Sequence, residues 1–257
     1  MPTSLSTAEE NYLKAIFKIS QRDGTPVSNA AISAEMNTAA PSVTDMIGRL
    51  SQKQLVHYQK RKGVSLSDLG RATATHLVRK HRLWETFLVD KLAFNWDEVH
   101  ELAEQLEHIQ SLELINRLDN YLGNPLFDPH GDPIPDARGH ITERQLIPLS
   151  MLPEHTPSVV TGVRDHTPDF LQYLQRTGLM LGTRLSVLER FSYDNSLHVA
   201  LDGGKSSSCR TRLRNIYWCR CEIAQPILSN CSNSQARSVS GLVFSISRRS
   251  SSRLLLS

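Results

Sequence analysis

Apolar and polar positions recur along this chain with two periods, and the changeovers divide it into segments. Ser6 and Thr7 lie three residues ahead of Glu9 and Glu10, a capping-box pattern, and Tyr12, Leu13, Ile16 and Phe17 then follow at helical spacing. This predicts a first helix of about thirteen residues. A polar turn, QRDGTP, leads into VSNAAISAEMN, where Ser28 can cap a short helix bearing Ala31, Ile32 and Met36. The helical period restarts in TAAPSVTDMIGRLSQKQLV. Pro41 falls in a first turn, where its missing N–H is harmless, and Val43, Ile47 and Leu50 point inward. Two short helices joined by a turn, the second polar on its outer face, predict a helix-turn-helix. Residues 55–58 and 64–66 then read as strands around the basic turn 59–63, a β-wing.

Residues 71–92 return to helical period, and Phe94, Asn95, Trp96 and Asp97 interrupt it, with Asp97 placed to cap the next helix. In that helix His100, Glu104, Glu107 and His108 stand at offsets 0, 4, 7 and 8, which at about 100° per residue puts them on one face. Val99, Leu102, Ala103, Leu106 and Ile109 gather on another. A further helix over 111–122 carries Leu112, Ile115, Leu118, Tyr121 and Leu122 on one stripe, as core or as a dimer surface. GNPLFDPHGDPIPDARGH cannot continue a helix, which puts a domain boundary near 123–143. After it, LSMLPEHTPSVVTGV, RTGLMLGTRLSVLERF and HVALDGG give three strand-like stretches, with a short helix possible at 169–174.

Charge changes the picture less than the formal +3 suggests. Residues 206–257 hold eight arginines and one acid, a balance of +7, so the rest of the chain sums to −4. The high isoelectric point therefore belongs to the tail and is no evidence for DNA binding. Residues 1–75 carry nine Lys and Arg against six acids, and Lys60, Arg61 and Lys62 concentrate that small excess at the wing tip. The helix from Ala40 would enter the major groove with Pro41, Ser42, Thr44 and Asp45 near its leading end, Thr38 and Ala39 just ahead, and Arg49 toward phosphate. All four cysteines lie in the tail without paired CxxC spacing, which argues against a disulfide framework or a zinc ribbon. No run approaches the 18 or so apolar residues needed to cross a bilayer, and the N-terminus lacks a secretory pattern, so a cytoplasmic protein is expected.

The candidate chemistry is metal binding. His81 and Glu85 lie four apart on one helix and the 100–108 group on another, so imidazole and carboxylate can converge from rigid elements on a harder divalent ion. A solvated face with a few ion pairs is the alternative reading of the same residues. HELAE at 100–104 has Glu104 where a zinc peptidase has its second histidine. Counting back three from His81, His100 or His108 gives Val78, Asp97 or Gln105, so a di-iron carboxylate bundle also lacks its motif. Neither a Ser-His-Asp set nor a Gly-rich phosphate loop is present, and a metalloenzyme is the weakest reading.

The order of winged helix, RKHRLWE, VHELAEQLEH and DPHGDPIP resembles the diphtheria-toxin-repressor family of manganese- and iron-responsive transcriptional repressors, over about residues 5–203. The resemblance implies a mainly α chain in three parts. These are a winged helix-turn-helix at 1–72, a helical dimerisation and metal-binding domain at 73–140, and a small SH3-like β-barrel at 141–218, read as incomplete. Residues 219–257 read as a disordered tail. It implies one metal site from His81, Glu85 and His100, to which the third domain lends two ligands, aligned with His166 and Asp169. A second, regulatory site would use Glu104, Glu107, His108 and Asn11. Carboxylate at 104 favours Mn(II), then Fe(II), acting as corepressor of metal-uptake genes in a homodimer on a palindromic DNA operator. A metal-independent winged-helix regulator is the alternative. Asn11 and Lys14 stand where manganese-type members carry acids. Lys14 cannot ligate while protonated and would repel a second cation, so Lys14→Glu is expected to strengthen metal binding and His108→Ala to remove the metal response.

Overall fold

The computed structural model describes residues 5–142, 144, 146–193, 196–201, 206–209 and 217–221. Helix α1 (Thr7–Asp23) begins at the expected capping box: Glu9 N–H donates to Ser6 Oγ at 3.3 Å and Ser6 N–H to Glu9 Oε2 at 2.8 Å. It runs four residues longer than its apolar period predicts and ends at Gly24. Helices α2 (Asn29–Glu35) and α3 (Ala40–Gln52) follow, capped by Ser28 and opened by Pro41. Strands β1 (Val56–Gln59) and β2 (Gly63–Leu66) form the antiparallel wing. Leu13, Ile16, Ile32, Val43, Ile47, Leu50 and Val64 pack into one core beneath this winged helix-turn-helix. Val27 and Val64 exchange both backbone hydrogen bonds at 2.8 Å, which fastens the wing to the α1–α2 turn.

Helix α4 (Asp68–Leu92) organises the rest. Its 25 residues span about 37 Å. Ala74 and Val78 lie in the first core, Leu83 and Trp84 in a second, and Val89 packs on a third. Ser67 caps it, and Gly70 in its first turn sits against the backbone just ahead of β1 so closely that an added Cβ would lie 1.9 Å from Leu55 O. Gly70→Ala is therefore expected to destabilise the chain by about 2 kcal/mol or more, because backbone rather than a movable side chain must give way. Urea unfolding of the variant checks this.

Helices α5 (Val99–Leu106) and α6 (Leu112–Tyr121) complete the second core through Ala103, Ile115 and Leu118. Two local expectations are corrected here. Glu98, not Asp97, occupies the N-cap of α5, because Asp97 Oδ2 accepts a hydrogen bond from Gln172 Nε2 at 2.9 Å. The helix bearing His100 also stops at Leu106, with Glu107 as its C-cap and His108 in the turn beyond, since Ser111 already caps α6. The Pro- and Gly-rich segment expected as a boundary is ordered against both neighbours. Asp128 Oδ1 accepts from the N–H groups of His130 and Asp132 at 2.9 Å, and Val163 N–H donates to His130 O at 2.9 Å.

The third part contains β3 (Ile147–Pro148), β4 (Ser158–Val163), α7 (Pro168–Thr177), β5 (Arg184–Arg190), β6 (Leu197–Leu201), β7 (Ser206–Cys209) and β8 (Tyr217–Cys221). They form an antiparallel sheet in the order β3-β8-β4-β5-β6-β7 over a core of Leu149, Val160, Leu171, Leu174, Val187 and Val199. The expected division at 218 falls inside a strand. Strand β8 reaches Cys221 and pairs with both β3 and β4, so Cys219, Arg220 and Cys221 belong to the sheet. Residues 222–257, the remainder of the expected tail, lie outside the described residues. Among the described residues no helix is long and apolar enough to cross a membrane.

Candidate metal centre

His81 and Glu85 project one turn apart from α4, and His100 meets them from the start of α5. Glu85 Oε1 lies 3.0 Å from His81 Nε2 and 3.2 Å from His100 Nδ1, and the two ring nitrogens are 3.2 Å apart. These separations are near the roughly 3 Å between neighbouring ligands around a first-row divalent ion. His81 and Glu85 are buried while His100 is 38% exposed in its side chain, which leaves one approach from solvent. Burial alone would push the His81 imidazole toward its neutral form, but Glu85 and Glu107 on either side outweigh it and raise its pKa. The same contest at Glu85 ends well below the ordinary carboxylate range: burial raises it, and His81, His100 and His130 more than reverse that. The two acids thus favour the protonated form of the His81 ring. Two imidazoles and a carboxylate, with no thiol, suit Mn(II) or Fe(II), and these residues fit such an ion.

Around this triad stands a shell that the sequence reading passed over. His130 Nδ1 is 3.6 Å from Glu85 Oε2 and its Nε2 lies 2.8 Å from Trp96 O. Burial works against its protonation, yet Glu85 and Asp128 lift its pKa to about 9. Asp128, fully enclosed and facing Asp132 and Glu85, is raised to about 7 despite Arg82 3.6 Å away. Glu85, Asp128 and His130 thus form a second convergent set sharing Glu85. The signal is the His and two Asp of DPHGDPIP, whose Pro and Gly content points to a domain boundary rather than to donors.

The two ligands expected from the third domain are not brought in. His166 stacks on His130 with ring centroids 4.6 Å apart, and its Nε2 lies 3.3 Å from Val163 O on its own segment. Burial, helped by His130 alongside, lowers its pKa even though Asp132 and Glu85 pull the other way. Asp169 is exposed in the first turn of α7, and among the described residues neither belongs to a convergent donor set.

The expected regulatory site is arranged differently from a ligand cage. Lys14 Nζ donates to Glu104 Oε1 at 2.7 Å and to Glu107 Oε1 at 2.6 Å. Burial pushes the Glu104 carboxyl up, but the Lys14 charge and hydrogen bond hold it below its ordinary value. Glu107 Oε2 takes His81 Nδ1 at 2.6 Å. His108 turns away to Glu10, with Nδ1 2.5 Å from Oε2, while its Nε2 is 3.8 Å from Glu107. Asn11 Oδ1 is buried without a hydrogen-bond partner. Glu104 and Glu107 come together with His81, whereas His108 does not join that set. With an ammonium between its acids, this place does not fit a divalent ion.

The DNA-facing expectations fall on surface. Ala39, Pro41, Ser42, Thr44, Asp45 and Arg49 of α3 and its approach are exposed, Thr38 is half-buried, and Lys60, Arg61 and Lys62 are exposed at the wing tip. Arg49 is engaged by Asp45 one turn earlier at 2.8 Å. Asn37 adopts the left-handed backbone of the turn between α2 and α3, a conformation Asn tolerates.

Residues 4–64 match the family described as iron dependent repressor, N-terminal DNA binding domain. Residues 67–136 match iron dependent repressor, metal binding and dimerisation domain, and residues 147–215 match the FeoA domain. The chain is 31% identical over 192 residues to the iron-dependent repressor IdeR of Mycobacterium leprae, covering 69% of this chain and 82% of that protein. Among solved structures, a manganese-dependent transcriptional repressor in complex with manganese superposes with a TM-score of 0.75 at 34% identity, over 82% of this chain and 98% of the other. ScaR with bound Cd2+ gives 0.69 at 30% identity over the same shares.

Proposed function

This chain belongs to the iron-dependent repressor family of metal-dependent, DNA-binding transcriptional repressors, not enzymes, and we propose that His81, Glu85 and His100 hold its corepressor, Mn(II) or alternatively Fe(II). The observation that carries this is the meeting of three donors from two helices within 3.2 Å of one another, without a thiolate. A manganese-dependent relative of the same fold favours Mn(II). When bound, the ion would supply positive charge beside the buried Glu85 carboxylate.

The chain's residues do the rest. His81 would offer its Nε2 to the ion while its Nδ1–H stays on Glu107 Oε2, a carboxylate that fixes the ring's orientation. His130 steadies Glu85 from the opposite side. Because α4 carries His81 and Glu85 and also lends Ala74 and Val78 to the winged domain's core, an ion held by these residues and His100 would fix α5 to the helix on which the DNA-reading module is built. Leu114 and Tyr121 lie on one side of α6 and are exposed, apolar surface that a second copy would cover in a homodimer. Two wings and two α3 helices then address a palindromic operator, in the cytoplasm, upstream of metal-uptake genes.

DNA fragments selected from a random pool in the presence of Mn(II) test this by gel shift. Affinity is expected to tighten on adding Mn(II) by about 5–150-fold, the range of ordinary allosteric couplings. Equal affinity with and without the ion would reject metal control through this site.

A further inference from the structure

Lys14 lies deep in the molecule, 4% exposed, and contributes nothing to the metal triad itself. Its ammonium stands between two carboxylates that are 90 and 93 residues away in the chain. Those acids, with His81, are one of three places among the described residues where His, Asp and Glu donors converge. Charges of like sign at contact distance in a buried setting repel by several times their cost in water, so an ammonium and a divalent ion cannot share Glu104 and Glu107.

We propose that Lys14 is a resident cation that takes the place of a second metal between Glu104 and Glu107, tying α1 to α5, so that the chain binds a single divalent ion. This rests on the reading above for where that one ion sits. The geometry also supplies the link between the ion's site and the DNA-binding domain. Glu107 accepts from Lys14 of α1 through Oε1 and takes His81 Nδ1 at Oε2, both at 2.6 Å, so one carboxylate joins a ligand of the ion to the first helix. A second seam runs alongside, where Glu10 of α1 receives Gln110 Nε2 at 2.8 Å and His108 at 2.5 Å. Asn11 stands one turn before Lys14 on the same face of α1, its buried Oδ1 unpartnered. It is an acceptor left over that a divalent ion would use if Lys14 were not there.

Equilibrium dialysis against Mn(II), followed by metal analysis of the full chain, tests the proposal. Lys14→Glu and Lys14→Gln serve as variants, with circular dichroism melts of the metal-free proteins. Wild type is expected to hold one ion per chain and Lys14→Glu two, the added carboxylate joining Glu104, Glu107 and Asn11. Lys14→Gln is expected to gain a weaker second equivalent, and its metal-free form to melt several degrees below wild type because two acids lose their partner. Two equivalents on wild type, or no gain in either variant, overturns the resident cation. An unchanged melting temperature in Lys14→Gln overturns the tether. Running His81→Ala in the same assay separates the two readings. If the wild-type equivalent survives that substitution, the site assignment fails, while the gain from wild type to Lys14→Glu still decides the role of Lys14.

Discussion

His81→Ala is expected to leave a folded protein that no longer responds to metal. The substitution removes one of three donors from the triad and the only ring that connects it to Glu107. Loss of a partner that merely orients a ligand costs about 10–100-fold in metal affinity, and removal of the ligand itself costs more. At Mn(II) concentrations that saturate wild type, the variant should bind DNA as wild type does without metal. The fold survives because neither acid is abandoned: Glu85 keeps His100 and His130, and Glu107 keeps Lys14. Calorimetric Mn(II) titration with a parallel thermal melt checks both halves. His108→Ala provides the contrast. The sequence places His108 among the regulatory ligands and predicts loss of response, but with its ring on Glu10 the expected change in Mn(II) affinity is only a few-fold.

The second large effect belongs to the wing. Replacing Lys60, Arg61 and Lys62 together by alanine removes three exposed cations per chain, or six in a dimer. Each phosphate contact contributes about 0.9 to the slope of log affinity against log salt, so the slope should flatten by up to about 5, and low-salt affinity should fall by orders of magnitude. Mn(II) binding should be unchanged, since the wing touches no donor of the triad. Arg49→Ala should act more weakly than any wing residue, because its guanidinium is already shared with Asp45. Fluorescence anisotropy on one duplex at several salt concentrations measures all of this. An undiminished slope would mean the wing tip does not meet the backbone of DNA.

Signals carried by neighbouring residues were legible in the sequence. Ser6 with Glu9, Ser28 and Pro41 mark helix starts through a local hydrogen bond or a fixed backbone angle, and each stands at the start of its helix. The spacing of His81 and Glu85 likewise needs only one helix to bring them together. What failed to show depended on partners far along the chain. Asp97 looks like a cap until Gln172 takes its carboxylate. The offsets of Glu107 and His108 assume a helix that continues, whereas it stops at Leu106 and lets His108 swing to Glu10. Strand β8 has little periodicity of its own and exists because β3 and β4 hydrogen-bond to it on both sides. His130 and Asp128 face Glu85 because Gly131 lets their loop press against β4, where a Cβ would lie 2.1 Å from Thr161 O. Lys14 was readable as an obstacle to a second metal; that it forms the bridge itself required knowing which acids it meets.

The central claim is that one divalent ion, bound at the junction of α4 and α5, governs this repressor. Anomalous diffraction from crystals grown with Mn(II) tests it most directly. The account predicts a single peak per chain, bounded by His81, Glu85 and His100, with Lys14 still seated between Glu104 and Glu107. A peak between those two glutamates, with the Lys14 side chain displaced, would contradict it.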